Sequence, residues 1–206
     1  FLSSEGVSGA SFSPDGSKLL VTSDRTGILN VFALPVDGSP AIQLTHSTTE
    51  SMLSRSYFPS DERFIYEADQ GGNELNHVYV RELDGSDVDV TPGERLKASF
   101  AGWADDEQSF FVVTNERDPR YFDLYEVSLE GYGKTRMYTN ESGMDVQAIS
   151  PNKRYLALGK PNTRKDTDVY LLDRETGESR ELMNPADDAV CSAAEFSKDG
   201  KTLYAL

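Results

Sequence analysis

The densest cluster of chemistry-bearing side chains in this sequence is Asn115, Glu116, Arg117, Asp118 and Arg120, in the stretch NERDPRYF at residues 115–122. Two carboxylates alternate there with two guanidinium groups. Glu116 and Asp118 can pair an ammonium, and the planar forks of Arg117 and Arg120 can take a carboxylate or a carbonyl through hydrogen bonds assisted by charge. The same four charges can instead neutralise one another and brace their loop. Both readings are open on the sequence.

Covalent chemistry has far less to work with. No G-x-S-x-G elbow is present to expose a nucleophilic serine. The two histidines, His46 and His77, have no sequence partners that suggest a base or a metal ligand. His46 lies in the polar stretch THSTTE and reads as a surface residue. His77 shares its place in a repeat, described below, with Asn30, Asp123 and Asp168, which points to a hydrogen-bonding role. The single cysteine, Cys191, can form no internal disulfide and reads as a small buried apolar residue. The acidic run LDGSDVDVTPGE contains Asp84, Asp87, Asp89 and Glu94, but its spacing fails the calcium-loop pattern, so it reads as a solvated turn. Asn140-Glu141-Ser142 fits the glycosylation triplet, a common match. No catalytic residue, metal site or cofactor is assigned.

Composition narrows the partners. Thirty-five acidic residues against 20 basic ones give a formal net charge of −15. That excess repels phosphate backbones, so nucleic acid and anionic membranes are excluded as expected partners. No stretch approaches the run of about 18 apolar residues needed to span a bilayer. The beginning FLSSEGVSG has no basic, apolar and cleavage regions in sequence and no initiator Met, so the chain is expected to start mid-sequence or after processing.

The elements that must position these groups come from a repeat. FSPDGSKLL begins at Phe12, YFPSDERFI at Tyr57, WADDEQSFF at Trp103, ISPNKRYLA at Ile149 and FSKDGKTLY at Phe196. The steps are 45, 46, 46 and 47 residues. A second element keeps phase: NVFALPVDG, HVYVRELDG, DLYEVSLEG and DVYLLDRETG. Each unit reads as a short strand, a Pro/Asp/Gly turn, an apolar strand, a polar loop, an alternating strand and a hairpin into an edge strand. Four short antiparallel strands per 45 or so residues is a propeller blade. An immunoglobulin-like sandwich has no reason to repeat one turn at fixed steps. The fold expected is all-β: a partial propeller over residues 1–206, with blades at roughly 7–48, 52–94, 97–142 and 145–187 and the start of a fifth at 190–206. Trp103 replaces the Phe, Tyr or Ile that opens the other turns and reads as inter-blade packing. An incomplete ring leaves blade faces uncovered, so self-association through the open ends is expected.

FSPDGSKLL and ISPNKRYLA resemble the repeats of TolB-type propellers and of the propeller in the prolyl oligopeptidase family of serine peptidases. FFVVTNERDPRYFDLYEVSLEG and YLALGKPNTRKDTDVYLLDRETGE are similar to middle blades of acylaminoacyl-peptidase-like and dipeptidyl-peptidase-like members. The resemblance implies a non-catalytic propeller that gates and positions peptide substrates for an α/β-hydrolase domain absent from this chain. It also implies that the second-to-third-strand loops face that domain. Loop 115–122 is then the first candidate for substrate contact, with loops 68–76 and 160–168 behind it. The paired-glutamate motif of dipeptidyl peptidases is not evident, which puts strict dipeptide release in doubt. The alternative is a TolB-type periplasmic protein-interaction platform. The compartment, bacterial cytoplasm or periplasm, is left open.

Overall fold

A computed structural model describes residues 5–164, 166–183 and 190–206. Among them every regular element is a strand. Blade one holds β1 (Val7–Phe12), β2 (Lys18–Ser23), β3 (Asn30–Pro35) and β4 (Ile42–Gln43). Blade two holds β5 (Met52–Tyr57), β6 (Phe64–Ala68), β7 (His77–Arg81) and β8 (Asp87–Asp89). Blade three holds β9 (Ala98–Trp103), β10 (Ser109–Asp118), β11 (Tyr121–Ser128) and β12 (Lys134–Tyr138). Blade four holds β13 (Asp145–Ile149), β14 (Tyr155–Thr163), β15 (Asp166–Asp173) and β16 (Ser179–Met183). β17 (Ala193–Phe196) and β18 (Leu203–Ala205) pair as a further hairpin. Each four-stranded sheet is antiparallel and keeps sequence order. The expected end of the fourth unit at 187 lies outside the described residues.

The repeated turn closes by side-chain chemistry. Ser13 Oγ donates to Asp15 at 2.6 Å and accepts from Lys18 N at 3.0 Å. Ser150 with Asn152 and Tyr155, and Ser197 with Asp199 and Thr202, reproduce the arrangement. Gly16 takes φ +70° in the first turn, where a side chain would be strained.

Alternation along each strand sends side chains to both blade faces, so the core is a set of seams between blades. Tyr57, Phe64 and Tyr66 of blade two pack on Leu20 and Val31 of blade one. Ile65, Val78 and Val80, one residue out of phase, pack on Phe110, Val112 and Val127 of blade three. Each fully buried large side chain contributes about 1.5–3 kcal/mol. Trp103 lies in this second seam. Its ring meets Phe58 edge-on at 5.0 Å, and its Nε1 donates to Ser56 Oγ of blade two at 2.8 Å.

Every described inner strand carries a bulge, at one register position after Ser54, Phe100, Val146 and Ala193 and one residue earlier, after Ser8, in the first blade. At Ser54, Phe100 and Ala193 the amide donates to a side chain of the preceding blade. Thr22 Oγ1 accepts from Ser54 N at 2.8 Å, and Glu67 Oε1 accepts from Phe100 N at 2.8 Å. Glu67 is fully buried, and its other oxygen accepts from Arg55 at 2.6 Å. The position that supplies Thr22 and Glu67 holds Val113 in blade three and Gly159 in blade four. Between blade four and the last hairpin, Gln147 takes over and accepts from Ala193 N at 2.7 Å. None of these bulges is legible as a turn signal.

Two stretches expected as loops are strand. β10 runs through Asn115, Glu116, Arg117 and Asp118, and β14 runs to Thr163. Residues 69–76 remain a loop. Polar composition suggested loops because these strand ends leave the blade core and lie at the rim, where polar side chains suit a solvated hairpin.

Candidate functional site

All blades share one strand order, so their second-to-third-strand connections emerge on one rim. There β10 and β11 form an arm. The last rung from β10 to the inner strand is Thr114↔Ala98, whereas the β10–β11 ladder resumes at Asp118↔Tyr121. The arm therefore extends four residues past the blade, about 13 Å at strand rise. β2 and β6 are 6 and 5 residues long, while β10 and β14 have 10 and 9.

The base of the arm is locked. Arg117 grips Asp123 with two hydrogen bonds, Nε to Oδ2 at 2.6 Å and Nη2 to Oδ1 at 2.9 Å, and Nη2 also donates to the Asn140 carbonyl at 2.7 Å. The Asp123 side chain is wholly buried. Burial pushes its carboxyl up, but the Arg117 hydrogen bonds, the Asn140 N–H and the charges of Arg117 and Arg136 outweigh this and hold it below the usual range. Glu116 pairs with Lys134 at 2.5 Å. Asn115 Oδ1 accepts from Lys97 N at 2.6 Å, and its Nδ2 donates to Pro119 O at 3.3 Å. These three residues thus fasten the arm to its own blade.

The tip differs. Asp118 holds Arg120 through Nε at 3.0 Å and Nη2 at 2.7 Å, and those hydrogen bonds lower the Asp118 carboxyl. The Arg120 side chain is 74% exposed and its guanidinium lies over the Tyr121 ring at 5.1 Å. Of the charged candidates, Arg120 is therefore the most exposed, with its guanidinium held by Asp118.

One third-strand position recurs at this level. Asn30 accepts from Thr45 Oγ1 and Ser47 N, His77 pairs with Asp89 at 2.8 Å, and Asp123 accepts from Asn140 N and Arg117. His77 is thus a strand-to-exit tie, as its place in the repeat suggested. Asp168 occupies the position in blade four and accepts from Asn162 Nδ2 at 2.8 Å. Asn140 is buried, and its amide serves Gly143, Met144 and Asp145, which leaves no room for a glycan. In the run 84–94, Asp87 pairs with Arg81 and Asp84 caps Ser86. Cys191 is half-buried beside Ala193 rather than fully inside. His46 is exposed.

Comparison with known proteins fits this geometry. Residues 46–165 match the family described as the dipeptidyl peptidase IV (DPP IV) N-terminal region. That is more than half of the chain. This chain belongs to that family. Within it, the chain is similar to dipeptidyl aminopeptidase BIII of Pseudoxanthomonas mexicana, 30% identical over 200 residues, covering 93% of this chain and 28% of that protein. It thus spans less than a third of that curated relative's length. Among solved structures, a puromycin-hydrolyzing peptidase of Mycobacterium tuberculosis superposes with TM-score 0.66 at 17% identity, over 88% of this chain and 32% of the other. Prolyl oligopeptidase B of Galerina marginata gives 0.65 at 12% identity, over 95% and 29%. TolB of Acinetobacter baumannii gives 0.63 at 15% identity, over 97% and 48%. At such identities these three show the propeller fold. Family membership thus identifies this propeller as a dipeptidyl peptidase IV N-terminal region.

Proposed function

We propose that this propeller gates and positions peptide substrates for an α/β-hydrolase domain elsewhere in the same protein. The observation that carries the reading is the β10–β11 arm: its base is immobilised by the Arg117–Asp123 grip, and it presents Arg120 beyond the blade rim. A rigid arm whose exposed guanidinium is already oriented by Asp118 can offer its remaining N–H groups to a peptide carbonyl or carboxylate at little entropic cost. Family membership and the relative named a dipeptidyl aminopeptidase support peptides as the substrate class. The TolB likeness supports the shared fold alone, so a protein-interaction platform has no separate observation behind it.

The test uses the full-length protein and a panel of aminoacyl and peptidyl chromogenic substrates. Arg120→Ala is expected to raise KM while the melting midpoint stays unchanged, since exposed substitutions alter stability by no more than about 0.5 kcal/mol. Identical kinetics for Arg120→Ala, Arg120→Glu and the parent across the panel would show that the arm does not touch substrate. A parent that hydrolyses none of the panel would reject the peptidase reading itself.

A further inference from the structure

The third-strand position described above is satisfied in blades one to three and left short in blade four. In blade three the buried carboxylate of Asp123 has a guanidinium six residues earlier, Arg117, covering both oxygens. Six residues before Asp168 stands Asn162, a neutral group that covers Oδ2 alone. Asp168 is only 6% exposed, and its buried Oδ1 has no hydrogen-bond partner among the described residues. Asp166 has the same deficit at its own Oδ1. The two are separated by one residue in β15, so both side chains leave the same face of the sheet. A buried carboxylate with an unpaired oxygen is among the least favourable arrangements in a protein interior unless a cation meets it.

We propose that Asp166 and Asp168 bind a divalent cation of the calcium class at the base of the β14–β15 hairpin. Hard carboxylate oxygens select hard cations. The unpaired oxygens lie out of reach of solvent, so a bare ion suits them where a long basic side chain from another molecule does not. Calcium accepts irregular oxygen sets, whereas magnesium demands a near-ideal octahedron and gives up water reluctantly. Asp166 as a whole is only half-buried, so a path from solvent reaches its side of the hairpin. Among the described residues no set of three His, Cys, Asp or Glu forms a closed metal cage. Two carboxylates define a weak site, with a dissociation constant of about 10⁻⁴–10⁻³ M. The ion would do for blade four what Arg117 does for blade three, and would brace the second rim hairpin.

The test is terbium luminescence on the full-length protein stripped with a chelator, with Tyr170 of the same strand as a sensitiser. Saturable emission that calcium displaces is expected. Asp166→Asn and Asp168→Asn should each weaken the apparent affinity at least about ten-fold, and Asp199→Asn should not change it. Absence of saturable emission at millimolar terbium, or affinity equal to the parent in both Asn variants, would overturn the site. If Asp168→Asn does not fold, the half-buried Asp166→Asn decides alone.

Discussion

The side-chain amide of Gln147 lies where a Cβ on Gly159 would stand, with Nε2 2.1 Å and Cδ 2.7 Å from that point. The missing side chain and the reaching one are complementary. Gly159 clears the path along which Gln147 crosses to the Ala193 amide. The glycine serves close approach here, not an unusual backbone angle.

Gly159→Ala is therefore expected to expel Gln147 and leave the Ala193 N–H without its acceptor, at about 1–3 kcal/mol. Native-state hydrogen exchange on the full-length protein should show faster exchange at Ala193. In a Gln147→Ala background the penalty should largely disappear, giving a coupling of about 1 kcal/mol or more. An additive cycle would show that the two residues act separately.

Glu67 gives a second expectation. Glu67→Gln keeps an oxygen for Phe100 N and loses mainly the charge pairing to Arg55, which is partly exposed. Glu67→Leu removes the acceptor and leaves a buried amide unpaired, at about 1–3 kcal/mol. Exchange at the Phe100 amide should rise sharply in Glu67→Leu and little in Glu67→Gln. Equal effects would assign the role of Glu67 to its charge.

The Arg117–Asp123 grip has a pH signature. Arg117 and its neighbours hold the Asp123 carboxyl below its unfolded value of about 3.9. The resulting stability is fully present above that value and is lost as pH falls through the lower folded one. In Arg117→Ala, burial dominates and raises the carboxyl above its unfolded value. That variant should be less stable at pH 7, and its deficit against the parent should shrink as pH falls toward about 4. Melting midpoints of the full-length protein between pH 3.5 and 7 check this: parallel curves would show that Arg117 is not the group that controls Asp123. Arg117→Lys should recover only part of the loss, because an ammonium cannot match the two-point grip.

Much of the frame is legible in the residues themselves. Phe12, Tyr57, Trp103, Ile149 and Phe196 mark the turns because a tight turn demands Pro, Asp and Gly at fixed offsets, and that chemistry survives repetition. The tie made by His77 follows from Asn30, Asp123 and Asp168 sharing its place. The arm was legible as a charged cluster but not as strand, since a hairpin beyond the core needs no apolar alternation. Whether Arg117 points outward or inward depends on Asp123, which stands opposite Thr114 where the ladder breaks, and on the irregular stretch that brings Arg117 back to it. The shortfall at Asp168 is invisible in sequence for the same reason: it consists of a partner that does not arrive.

Val113 has a consequence for mechanics. The first, second and last seams are each pinned near the axis by a side chain that crosses to a bulge amide, from Thr22, Glu67 or Gln147. At the third seam the corresponding residue is Val113, whose methyl groups offer no acceptor to Val146. Its polar fasteners sit farther out: Lys153 bridges to Asp106 and Glu126, and Arg174 donates to the Met137 carbonyl. A joint bolted at its outer edge and greased at its hub tolerates shear before separation. The third and fourth blades, which carry the two long rim hairpins, thus form the pair best able to slide past one another, and the gap between those hairpin tips can change while each blade stays rigid.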